Sequence, residues 1–135
     1  MGVPSQPARD LEFELALYES VVWRDPDNLE ALTALGEAYT HAREYAKGLE
    51  VDQKLVKLRP QDPLVHYNLA CSLSLLEQAD PAFAALERAV SLGYADLAQM
   101  DRDPDLEGLR RDPRYAALRE GLRKQPAVPR RPASA

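Results

Sequence analysis

The chain of 135 residues has one cysteine, two histidines, one tryptophan and six glycines, and it nowhere strings together the ~20 apolar residues of a membrane span. Each shortage excludes a class of protein. Cys71 alone cannot close an internal disulfide, and one thiol with two imidazoles is too poor a donor set for an ordinary structural zinc site. The glycines are isolated, so no phosphate-cradling loop can be read. No stretch alternates apolar and polar residues long enough for a convincing strand. The opening run Met1-Gly2-Val3-Pro4-Ser5-Gln6-Pro7 lacks the basic-then-apolar order of a secretory signal, and Gln6 stands where a myristoylation signal has Ser or Thr. Together with the single thiol, this makes the cytoplasm the expected compartment.

What is present is charge, unevenly spread. The net charge of −5 argues against nucleic acid as the main partner, because phosphate binding needs clustered Lys and Arg. Residues 10–108 hold 20 acidic and 8 basic side chains, whereas residues 109–135 hold 2 acidic and 8 basic. An acidic body is followed by a basic end.

A shift of 34 residues brings the chain into register with itself. Leu35 falls on Leu69, Gly36 on Ala70, Gly48 on Ala82, Leu58 on Leu92 and Pro60 on Pro26, while Tyr39 meets Leu73 and Leu55 meets Ala89. Large residues match large or apolar ones, and small residues match small ones. That is the requirement of two antiparallel helices per repeat, whose backbones approach closely only where the crossing side chains are small.

Helix boundaries are written separately in the sequence. Asp-Pro occurs at 25–26, 62–63, 80–81, 103–104 and 112–113. Aspartate accepts from the free N–H groups of a helix start, and proline in the next position sacrifices no helix bond. Asp62, Asp80, Asp103 and Asp112 are therefore expected N-caps. Helices are predicted at 10–24, 28–42, 45–58, 63–76, 81–92, 95–100, 104–111 and 113–123, after a flexible N-terminus of residues 1–9 and before a disordered Pro/Arg-rich tail of residues 124–135.

The repeat resembles the tetratricopeptide family, whose pattern runs Trp-x-x-Leu-Gly-x-x-Tyr, then Ala, an aromatic, Ala and Pro. The first full unit reads Leu32, Leu35, Gly36, Tyr39, Gly48, Asp52, Leu55, Pro60, and the second His66, Leu69, Ala70, Leu73, Ala82, Leu86, Ala89, Tyr94. Asp52 stands for an aromatic, His66 for the tryptophan and Tyr94 for the closing proline. The resemblance implies an all-α, α-α superhelix, a solenoid of antiparallel helix pairs. The segment Asp105-Leu106 through Leu118 is similar to the short piece that closes many bacterial arrays, and a solenoid needs such an end.

The first helix carries two apolar stripes. Leu11, Leu15, Tyr18 and Val22 form one, and Phe13, Leu17 and Val21 the other, with Trp23 off both. In the 34-residue register this helix is the second member of a pair whose first member is missing. One stripe is expected to pack on helix 28–42. The other, Phe13, Leu17 and Val21 with Trp23 beside it, is a candidate face for a homodimer or for docking to a larger protein.

Catalytic constellations are scarce. His66 lies about 140° around a helix from Cys71 and would not touch it. His41 approaches Cys71 only if the family geometry holds, and neither a residue to orient the base nor an oxyanion loop can be named. Asp101-Arg102-Asp103-Pro104-Asp105 lacks the glycine and glutamate of a calcium loop and reads as capping residues between helices. The expectation is therefore no enzyme, no metal and no cofactor.

The resemblance also implies a partner-binding groove, lined by Glu30, Thr33, Glu37, Thr40 and His41 from the first unit and by Leu64, Tyr67, Asn68, Cys71 and Leu75 from the second. Asn68 matches an asparagine that some chaperone-binding members use on a peptide carboxylate. Thr33 and Glu37 replace the lysine and asparagine that complete such a clamp, so chaperone tails are not expected. Glu30 and Glu37 favour a peptide or protein partner with basic and apolar residues. Pro126-Ala127-Val128-Pro129-Arg130-Arg131 fits a polyproline-plus-arginine ligand, although such matches are commonplace in Pro/Arg-rich tails. A non-enzymatic interaction module or scaffold is the leading functional expectation, and an accessory or regulatory subunit of an enzyme complex the alternative.

Overall fold

Eight α-helices and one 3-10 turn make up residues 6–124, the part of the chain described by the computed structural model. They are α1 (Gln6–Arg24), α2 (Leu29–His41), α3 (Tyr45–Leu58), α4 (Pro63–Leu75), α5 (Ala79–Ser91), α6 (Leu97–Arg102), the turn Pro104–Leu106, α7 (Glu107–Arg110) and α8 (Pro113–Lys124). Sequential helices pack side by side, α1 on α2, α2 on α3, α3 on α4 and α4 on α5. This is the expected all-α helical-repeat superhelix, and no strand occurs among the described residues. Lys124, the first residue of the expected tail, is helical and ends α8, and the rest of that tail, including the Pro126–Arg131 motif, lies outside the described residues.

The 34-residue register reappears in the backbone. Arg43 and Glu77, that distance apart, both adopt positive φ, at 60° and 59°. Each ends its helix with the same pair of bonds. Arg43 and Glu44 N–H donate to the Thr40 and Tyr39 carbonyls, and Glu77 and Gln78 N–H to those of Ser74 and Leu73. The left-handed residue turns the chain so that carbonyls without a helix partner are satisfied, and the next helix starts antiparallel.

This turn corrects one expected boundary. Asp80 is not an N-cap: α5 starts at Ala79, directly after the turn, in register with Tyr45 at the start of α3. Asp80 lies in the first turn of α5 and accepts instead from Arg114 of α8 at 2.8 Å. The other expected caps form, with Asp62, Asp103 and Asp112 accepting from the N–H groups of Leu64, Asp105 and Arg114 at 2.9, 3.0 and 2.9 Å. Asn28 adds a cap at the start of α2, accepting from Ala31 N–H. Helix α1 also begins at Gln6 rather than at 10, so residues 6–9 are helical. Pro7 falls in its first turn, where a missing N–H removes no helix bond.

Two apolar clusters fill the interior. Leu32, Leu35, Tyr39, Val51, Leu55 and Val65 form the first, and Leu15, Tyr18 and Val22 of α1 pack onto it. The second runs from Tyr67 and Ala70 through Phe83, Leu86 and Ala89 to Met100, Leu106, Leu109, Tyr115 and Leu122. The closing segment thus covers the last helix pair, removing from water an apolar face that the array would otherwise expose. Gly36 sits at the α2–α3 crossing, where an added Cβ would lie 3.4 Å from Val51 Cγ1 and 3.3 Å from Asp52 Oδ1.

The departures from the repeat pattern are accommodated by hydrogen bonds and stacking. His66 is buried, and its Nε2 donates to the Pro60 carbonyl at 2.8 Å. Asp52 is buried and accepts from the Ser72 hydroxyl across the α3–α4 interface. Tyr94 stacks on Tyr67 with ring centroids 4.3 Å apart. Each residue satisfies locally a position that the pattern fills with bulk.

Candidate functional site

Two recesses carry most of the predicted site residues, and they differ in character. The first, of about 140 Å³, lies between α2 and α4 and takes Thr33, Glu37, Thr40 and His41 from one helix and Asn68 and Cys71 from the other. Asp52 and Leu55 of α3 also line it, and one further wall was not expected. The 3-10 turn enters the groove in front of α4 and brings Asp103 and Asp105 against Cys71.

Asp103 organises this wall. Its carboxylate accepts from the Tyr67 hydroxyl at 2.7 Å, Gln99 Nε2 at 3.2 Å, Asp105 N–H at 3.0 Å and, more weakly, the Cys71 thiol at 3.8 Å. Arg110 holds the turn from behind, donating to the Met100 and Asp103 carbonyls at 2.9 Å. Tyr67 and Cys71 are consequently buried, at 5% and 7% exposure. A partner cannot lie along Tyr67 as the groove reading expected, because the chain's own closing segment covers it. Leu64 is exposed and Leu75 half-buried, and both lie outside the two recesses described here.

The electrostatics follow from that burial. Desolvation, then the Asp103 charge, pushes the Cys71 thiol far above its ordinary range, so it keeps its proton. Burial and the bond to Asp103 raise Tyr67 in the same way. Asp105 is raised by burial and by Asp103, with His41 opposing, and burial alone lifts Asp52 to about 6 against the bond from Ser72. Cys71, Asp103 and Asp105 have potential ligand atoms within 4.8 Å of one another. The Asp103 carboxylate already accepts from four donors, the Cys71 thiol and the Asp105 N–H among them.

The second recess, of about 680 Å³, lies along the α1–α2 junction. Leu17, Tyr18 and Val21 form one wall, and Glu30, Ala31, Thr33, Ala34 and Glu37 the other. Thr33 and Glu37 therefore separate the two recesses. Of the residues predicted for the outer face of α1, Leu17 and Val21 line this recess, while Phe13 and Trp23 stand beyond it, 69% and 83% exposed.

The sequence reading missed Asp103, Asp105 and the pairing of Asp52 with Ser72. The signal for the first two was at hand, since an Asp-Pro-Asp run caps a turn, but nothing local says that the turn lies in a groove. The signal for Asp52 was a carboxylate at an aromatic position, which demands a donor from a neighbouring helix.

No family model matches the chain. It is 29% identical over 122 residues to a chloroplastic protein of Arabidopsis thaliana, across 87% of this chain and 35% of that protein. It is 31% identical over 93 residues to the peroxisomal targeting signal receptor of Komagataella phaffii, across 67% of this chain and 16% of the receptor. The receptor of Candida albicans is 29% identical over 85 residues, 63% of this chain and 14% of the receptor. The chain thus spans about a third or less of the length of these relatives. No helix among the described residues is long and apolar enough to cross a membrane.

Proposed function

We propose that this chain is a tetratricopeptide-type interaction module, binding a protein or peptide partner without catalysing a reaction. The observation that carries this reading is the apolar, acid-rimmed recess on a scaffold whose other groove is closed by its own turn. Similarity to a receptor for a targeting signal supports recognition of a polypeptide. The strongly raised Cys71 thiol supports a non-enzymatic role, and no metal or cofactor is part of the proposal. The partner carries basic and apolar residues, and nucleic acid and membrane are not partners. The cytoplasm remains the proposed compartment, a reading supported by the presence of a single cysteine.

A second reading is favoured by the exposure of Phe13 and Trp23: the outer face of α1 joins two copies into a homodimer. A role as an accessory subunit of an enzyme complex is the third, and it places a larger protein on the same face. Affinity capture with the full chain, run in parallel with Phe13→Glu and with the double variant Glu30→Lys, Glu37→Lys, tests the module. Specific proteins retained by the wild type and lost with a variant are expected. Retention of nothing beyond a bait-free control would overturn the reading.

A further inference from the structure

We propose that the α1–α2 recess is the seat of a helix supplied by a partner, an amphipathic helix with a Leu-x-x-Leu-small stripe flanked by Lys or Arg. The inference rests on the interaction-module reading and names the kind of partner.

The repeat itself shows what this seat holds. Leu17 and Val21 of α1 correspond, 34 residues on, to Val51 and Leu55 of α3, and a further 34 on to Ala85 and Ala89 of α5. Those four are all buried. Val51 and Leu55 are clustered with Leu32, Leu35 and Tyr39 of α2, and Gly36 brings the α2 backbone close to Val51. Ala85 and Ala89 are clustered with Tyr67, Ala70 and Leu73 of α4. At both internal positions the cover is a helix with a small residue at the crossing. At α1 no described residue supplies that cover, and Leu17 is 46% exposed. An extended peptide would leave its own backbone groups unpaired against this apolar wall, whereas a helix brings them satisfied and fits the groove between two helices.

Charge selects among helices. Asp10 and Glu14 share the helical stripe of Leu17 and Val21, and Glu30 and Glu37 of α2 line the recess together with Leu17 and Val21. No ion pair to these four forms among the described residues. A basic helix neutralises this rim. A second copy docking symmetrically through α1 sets the acidic rim against itself, which disfavours the dimer.

The probe is a fluorescent synthetic peptide copying residues 28–42 with Glu30→Lys and Glu37→Lys, titrated into the full chain by anisotropy. Binding is expected, weakened about tenfold or more by Leu17→Asp in the protein and progressively by added salt. Leu17 is half-exposed, so Leu17→Asp leaves the fold intact, and circular dichroism verifies it; Glu14→Lys gives an independent variant on the rim. No binding, or binding indifferent to both variants, overturns the helix seat. If lysate capture still succeeds and depends on Glu30 and Glu37, the module reading survives that failure. If light scattering shows a dimer that Leu17→Asp dissociates and the peptide does not bind, the seat belongs to a second copy and the proposal falls.

Discussion

The Tyr67 hydroxyl of α4 donates to the Asp103 carboxylate of the closing segment at 2.7 Å, joining residues 36 apart at a buried contact. This bond fastens the turn into the groove. Removing the carboxylate strands the buried Tyr67 hydroxyl and takes away the cap on Asp105 N–H together with the bond from Gln99. Asp103→Ala is therefore expected to cost about 2–4 kcal/mol, and Tyr67→Phe, which leaves Asp103 its other donors, about 1.5 kcal/mol. Urea unfolding checks both. Equal losses would show that Asp103 acts on Tyr67 alone.

Asp52 makes stability depend on pH in a direction opposite to that of an ion-paired carboxylate. Burial raises its folded value to about 6 from an ordinary 3.8, so between those values the folded chain binds the proton more tightly than the unfolded chain. Stability from this group is complete below 3.8 and is lost as pH rises through about 6, a loss on the order of 3 kcal/mol by pH 7. Asp52→Asn, which can still accept from Ser72, is expected to be the more stable protein at pH 7. Its advantage shrinks towards pH 4. Thermal melts of both proteins across that range isolate Asp52 from the surface carboxylates they share, and an advantage independent of pH would contradict the assignment.

Local signals in the sequence led to most of the helices because each is short-range, although the helix expected at 104–111 is a 3-10 turn followed by the short α7. Asp62-Pro63 marks a start with two adjacent residues, and the matches of Gly36 with Ala70 and Gly48 with Ala82 reveal the pairing through size alone. Asp80-Pro81 misled because a turn governed by positive φ at Glu77, three residues before Asp80, had already set the start of α5. The recess was legible on α2 as a shared face, which Thr33, Glu37, Thr40 and His41 line together. It was not legible at Tyr67, because the cover comes from Asp103, and no periodicity within α4 encodes where a segment 36 residues later folds back.

The thiol of Cys71 is expected to be inert in the native protein. It is buried, faces Asp103, and has a strongly raised ionisation, so thiolate is scarce at neutral pH. A chromogenic disulfide reagent at pH 8 is expected to react only as fast as the chain opens, with full reaction in denaturant. Asp103→Ala, which loosens the cover and removes the neighbouring charge, speeds the native reaction. Rapid labelling of the folded wild type would instead mark an accessible thiolate and reopen the case for chemistry at this position.

Arg43 and Glu77 hold left-handed conformations that favour glycine, and neither side chain is buried. A Cβ in that region is crowded by the backbone, while glycine adopts it freely at some entropic cost in the unfolded chain. The balance predicts that Arg43→Gly and Glu77→Gly each stabilise the fold by about 0.5–1 kcal/mol. The two turns belong to successive repeats and share no bond, so the double variant is expected to show the sum of the single effects. Gly93 gives the converse. It ends α5 at φ 113°, and nothing lies within 4 Å of where its Cβ would be, so Gly93→Ala reports backbone strain alone and should destabilise by about 1 kcal/mol. Differential scanning calorimetry on the four variants tests the set. A stabilising Gly93→Ala, or a destabilising Arg43→Gly, would mean that side-chain contacts rather than φ govern these turns.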